Sequence, residues 1–192
     1  MARLTNRLAR TTLLLVLGVI PALAADDPAS YKDDKYQFAM TVPKPWTSAA
    51  LANYSVPGVA RAAWSSEKGA SIVAFVQEPG KDYTPRFLVD ASVSAMKAQL
   101  GATIITQEVR TVGGMKAMWL ILSAPGTGGA IAADGKIDTT QHWVAIPREK
   151  DIVVILLTTP SADYEGLKAS FEKAVTEIEI KGTQTDAQKN GK

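Results

Sequence analysis

Apolar and polar residues alternate from Tyr36 to Val42, with Phe38, Met40 and Val42 on one side and Ala39 and Thr41 on the other. That period of two predicts a strand. Pro43 and Pro45 end it, because neither can donate to a ladder, and Trp46 follows directly. Val59 to Trp64 and Ser71 to Gln77 repeat the strand signature on either side of the polar turn Ser66 to Gly69. Thr84-Pro85 then opens a helix, with a hydroxyl at the N-cap and proline at the first helical position. Leu88, Ala91, Ala95 and Met96 form its apolar stripe, and it ends near Gly101.

Four strands are expected next. Ile104 to Val112 and Met115 to Ala124 meet at Gly113-Gly114, a two-residue hairpin turn in which positive φ is free of steric cost. Lys136 to Ile146 and Asp151 to Thr159 meet at a short polar turn around Arg148 to Lys150. Two of the four are apolar on both faces: Met118, Leu120 and Leu122 oppose Ala117, Trp119 and Ile121, and Ile152, Val154 and Leu156 oppose Val153, Ile155 and Leu157. Strands of that kind need a packed layer on each side of their sheet. Ser161 is expected to cap a last helix, along which Tyr164, Leu167, Phe171, Val175 and Ile178 recur at helical spacing. The order β-β-β-α-β-β-β-β-α predicts an α+β fold: a three-layer α/β/α sandwich, with a mostly antiparallel sheet of about six to seven strands and a helix on each face.

The chain divides accordingly. Residues 1–24 read as a cleavable signal peptide: Arg3, Arg7 and Arg10 precede the apolar run Leu13 to Leu23, which closes on Ala22-Leu23-Ala24. The run is shorter than the ~20 residues that span a bilayer, so no stable membrane anchor is expected after cleavage. Residues 25–35 read as a flexible lead-in, 36–181 as the domain and 182–192 as a disordered tail. The expected location is the periplasm or the medium, reached by the general secretion route.

Composition alters this picture in two ways. The formal charge of +2 over 192 residues becomes about −1 once the three leader arginines leave, so no basic field exists to hold nucleic acid. The absence of cysteine removes thiolate metal sites and disulfide staples, leaving the core to hold the domain.

The segment Tyr36-Gln37-Phe38-Ala39-Met40-Thr41-Val42-Pro43-Lys44-Pro45-Trp46, an aromatic strand running into proline and then tryptophan, resembles the PsbP/Mog1/DcrB-like family, including bacterial DUF1795-type exported proteins. The Gly113-Gly114 hairpin after a long helix, two long closing strands and a final helix carrying Phe171 agree with it. The resemblance covers roughly residues 31 to 180. It implies an α+β sandwich that binds a macromolecular partner, in an adaptor-, assembly- or chaperone-like role, and no shared catalytic constellation.

Candidate chemistry is sparse. His142 is the sole histidine. Asp138 lies four residues away on the same strand, about 13 Å distant, so the two cannot touch. Thr140 between them is a weak nucleophile candidate, and Asp138 and Glu108 are conceivable zinc ligands beside His142. Two readings of His142 stay open: a catalytic base, or an ordinary buried or surface histidine. The glycine-rich stretch Pro125 to Gly135 lacks the Gly-Lys-Ser/Thr ending of a phosphate loop and reads as a hairpin loop. Trp119 reads as core, whereas Trp46 and Trp64 either line a groove or plug the ends of the sandwich.

The expectation is therefore a non-catalytic exported module engaging a protein or a hydrophobic segment. Trp46, Trp64 and His142 are its candidate partner-binding residues, and no cofactor, metal or catalytic set is assigned. The alternative is a periplasmic hydrolase or metal-dependent protein built on His142.

Overall fold

A computed structural model describes residues 29–78, 90–95, 98, 102–124 and 138–184. The leader, the expected N-cap Thr84-Pro85 and the glycine-rich stretch lie outside the described residues, as do positions 185–192 of the tail.

Among the described residues ten strands form two antiparallel sheets. They are β1 (Ala29–Asp33), β2 (Phe38–Val42), β3 (Thr47–Ser48), β4 (Val59–Ser65), β5 (Ser71–Gln77), β6 (Thr103–Val112), β7 (Met115–Ala124), β8 (Thr139–Pro147), β9 (Ile152–Pro160) and β10 (Glu179–Ile180). The larger sheet has seven strands in the order β3-β4-β5-β9-β8-β7-β6, and the smaller runs β1-β2-β10. Helical residues 90–95 and 98 make up the described part of α1, and α2 spans Tyr164–Thr176. The fold is an α+β sandwich, as the alternation of apolar positions predicts.

The doubly apolar strands β7 and β9 lie inside the large sheet and separate two cores. On one face Trp64, Ile72, Trp119, Val144, Ile155 and Leu157 pack under α2 and the small sheet. On the other, Phe75, Leu120, Leu122, Val154 and Leu156 pack with Val93 of α1. α2 meets the first core through Leu167, Phe171, Ala174 and Val175, recurring at the three- and four-residue spacing of one helix face.

Four features lie outside what the alternation of apolar positions carries. The lead-in is a strand: β1 pairs with β2 from Ala29↔Val42 to Asp33↔Phe38. Its signal is weak because the residue it buries most deeply is the carboxylate Asp33. The small β3 and β10 are too short to carry a period of two. Ser161 does not cap α2; a 3-10 turn over Ser161–Asp163 intervenes, and Asp163 precedes the helix without a side-chain capping bond.

The tail, finally, is anchored as far as Gln184. Its side-chain amide donates to Lys116 O (2.8 Å) and Pro147 O (2.7 Å), and its carbonyl accepts from Lys116 N (2.8 Å). Lys116 lies in β7 before β8 begins to pair at Met118, so the glutamine satisfies backbone groups the sheet leaves open.

Candidate functional site

His142 stands on β8 with Val144 and Ile146, two positions apart along the face turned to α2. It is 0% exposed. Its ring centroid lies 4.8 Å from Phe171, 5.3 Å from Trp119 and 6.0 Å from Tyr164. Nδ1 is 3.1 Å from the Tyr164 hydroxyl, and buried Nε2 has no hydrogen-bond partner among the described residues. Burial, helped by the positive charges of Arg110 and Lys168, lowers its pKa from 6.5 to about 4. Burial also raises the Tyr164 hydroxyl's pKa. The pair is therefore neutral near pH 7, and the ring's tautomer decides whether the phenol or Nδ1 donates. A general base needs a route to substrate, and this ring is walled in by aromatics.

The acids proposed beside it lie elsewhere. Asp138 is exposed just before β8, and its backbone carbonyl accepts from Ser161 N at 2.9 Å. Glu108 on β6 receives Arg110 Nη2 at 2.5 Å. Thr140 is buried and donates to Ser161 Oγ at 3.0 Å. Among the described residues no group of three or more histidine, aspartate or glutamate side chains converges to hold a metal ion.

Both candidate tryptophans are interior. Trp46, 3% exposed, donates Nε1–H to Ser170 Oγ on α2 at 3.1 Å. Trp64, 1% exposed, lies on β4 opposite Ile72. With His142 they form part of one core, so none offers surface to a partner in this fold. The signal was present in the sequence: His142 shares its strand parity with Val144 and Ile146, and Trp64 shares its parity with Ala62.

Two charged clusters that sequence reasoning missed hold the small sheet to the large one. Asp33 accepts from Arg61 Nε (2.5 Å), the Tyr31 hydroxyl (2.9 Å) and Tyr36 N (2.9 Å). Burial alone would raise its pKa, but these bonds outweigh burial and hold the carboxyl below its ordinary value. At the other end Arg148 grips both Asp151 oxygens (2.6 and 2.7 Å) while Nη1 donates to Tyr36 O (2.7 Å) and Lys181 O (2.8 Å). Gly182 makes this possible. Its φ is +139°, and a Cβ there would stand 2.8 Å from Arg148 Cδ.

Among the described residues β6 is a further surface feature. It is ten residues long and forms one edge of the large sheet, whereas the opposite edge, β3, has two residues. Ile105 is 58% exposed and Val109 48%. The pairing with β7 is regular except for a bulge between Ile104 and Thr106. Glu108 and Arg110 lie on the α2 face, where the Arg110 guanidinium also covers the Trp119 ring at 4.6 Å and approaches Glu172 at 3.7 Å.

This arrangement is a PsbP-like fold. The solution structure of cyanobacterial PsbP (CyanoP) from Synechocystis sp. PCC 6803 superposes with a TM-score of 0.58 at 15% identity, covering 86% of this chain and 99% of that one. LpqN of Mycobacterium tuberculosis, described as involved in cell envelope biogenesis, superposes with a TM-score of 0.54 at 17% identity, over 82% of this chain and 87% of its own. Neither a family model nor a curated protein matches the sequence.

Proposed function

We propose that the protein is an exported, non-catalytic binding or assembly module that engages a protein partner through the open edge of β6. The observation that carries this reading is a ten-residue strand with exposed Ile105 and Val109 and no outer neighbour among the described residues. Such an edge binds an extended segment by main-chain hydrogen bonds, with side-chain pairs supplying specificity. Exposed edges left unpaired invite unwanted association, and natural sheets usually shorten or blunt them. A long edge carrying two exposed β-branched residues fits a surface kept for pairing.

The non-catalytic half rests on His142, whose ring reaches no solvent and no acid. Export rests on the leader Met1 to Ala24, with Ala25 starting a mature chain whose domain runs from β1 through Gln184. No helix among the described residues is long and apolar enough to cross a membrane. A periplasmic or secreted module accords with LpqN, described as an envelope-biogenesis protein.

Site-specific photo-crosslinking tests the reading. A photoreactive residue at Ile105 is expected to give a discrete protein adduct in the native envelope, and the same residue at Lys68, in the β4–β5 turn, none. Equal labelling at both positions, or none at Ile105, would overturn it. Loss of a measured activity in a folded His142→Gln variant would restore the hydrolase alternative.

A further inference from the structure

The hairpin turn determines which backbone groups of β6 face away from β7. Gly113 and Gly114 have φ of +55° and +79°, the two positive values of a type I′ turn, so Val112 and Met115 form its closing hydrogen-bonded pair. Counting back in twos, Arg110, Glu108 and Thr106 direct N–H and C=O at β7. Thr111, Val109 and Gln107 direct theirs away from the sheet. The regular part of the strand runs from Thr106, after the bulge, to Val112, before the turn. Val109 is its midpoint.

We propose that this edge pairs with the same edge of a second copy, antiparallel, about a two-fold axis through Val109. The inference rests on reading β6 as the contact surface and names its occupant. An antiparallel two-fold through a residue requires that residue's N–H and C=O to face outward, and those of Val109 do. Val109 then exchanges hydrogen bonds with its counterpart, and Gln107 exchanges them with Thr111 of the other copy.

The same register sets Glu108 of each copy opposite Arg110 of the other. These are non-hydrogen-bonded positions, where facing side chains come closest and opposite charges stabilise the pairing. Glu108 and Arg110 already bond within their own strand at 2.5 Å, so their side chains lie on one face and need only exchange partners. The charge pattern is thus complementary to itself, the requirement for an isologous contact. On the opposite face the half-exposed Val109 meets its symmetry mate. One symmetric contact uses up the long edge, which closes the assembly at two copies.

The absence of cysteine in the chain makes the test direct. A Val109→Cys variant carries one thiol, and Cα atoms of a hydrogen-bonded antiparallel pair lie about 5.5 Å apart, within disulfide range. Mild oxidation of the full mature chain is expected to yield a covalent dimer, whereas Glu67→Cys in the β4–β5 turn yields none. By sedimentation, the wild-type chain is expected to dimerise reversibly. Glu108→Arg or Arg110→Glu alone should weaken dimerisation roughly tenfold, and the two together should restore it. Circular dichroism confirms that each variant is folded.

A chain monomeric at every concentration, with Val109→Cys left uncrosslinked, overturns self-pairing. If a heterologous adduct still forms at Ile105, the β6 contact surface stands with another occupant. If the monomer instead protects the Gln107, Val109 and Thr111 amides from exchange, a segment of the chain itself covers the edge, and both readings fail.

Discussion

At His142 the ring exchanges solvent for a single phenol and three aromatic faces, and its charged form suffers for it. The folded chain titrates this ring at about 4, against 6.5 for an unhindered one. The unfolded chain therefore binds more protons between those values, and stability rises with pH across the window. The contribution is complete above pH 6.5 and is lost as pH falls toward 4. Urea unfolding should show the chain about 2 kcal/mol less stable at pH 5 than at pH 8 on this account. His142→Gln should flatten that difference even if it lowers stability throughout; an unchanged slope would mean that another group titrates.

Asp33 acts lower on the pH scale. Its folded value is depressed, so its contribution is present above the unfolded value near 3.9 and is lost only as pH falls further. Asp33→Ala leaves the Arg61 guanidinium, the Tyr31 hydroxyl and Tyr36 N without their shared acceptor. The expected cost is about 2–3 kcal/mol, since one partner is partly solvated, measured by thermal or urea unfolding at pH 7. A loss under half a kilocalorie would show that water replaces the carboxylate.

At the scale of elements, the small sheet is held through charged groups as well as apolar packing. Arg148 connects the β8–β9 turn to the backbone at Tyr36, before β2, and at Lys181, after β10. Lysine at this position retains the charge but loses the planar fork that binds Asp151 through two oxygens. Arg148→Lys should cost about 2–4 kcal/mol and should accelerate amide exchange in β2 and β10 before the large sheet is affected. Uniform acceleration would show that the two sheets open as one unit.

The same elements explain what was legible in the sequence. β7 and β9 were, because apolar residues on both faces admit only a covered central strand. The Gly113-Gly114 turn was, because two positive φ values suit few other residues. β1 was not, because its alternation, Ala29 and Tyr31 inward against Ser30 and Lys32 outward, is short and ends on a buried carboxylate, Asp33. The candidate site was read least well. Trp46 follows two prolines and looks like a loop aromatic, yet its indole reaches Ser170 on α2, a contact 124 residues away in sequence. The β6 edge was visible only as a strand carrying charges; that it has no outer neighbour among the described residues depends on the order of strands, which alternation along one strand does not encode.

Over the molecule as a whole, the polar clusters described hold layers together, and on the proposed reading the backbone of an edge carries binding. Val109 allows the two roles to be separated. Its N–H points away from β7, so proline there removes an outward donor without breaking a β6–β7 bond, and proline is tolerated on sheet edges for that reason. The decisive measurement compares Val109→Pro with the wild-type mature chain in sedimentation and in Ile105 photo-crosslinking, at matched thermal stability. The account expects a folded monomer that labels nothing. A folded Val109→Pro chain that still dimerises or still captures its partner would contradict it.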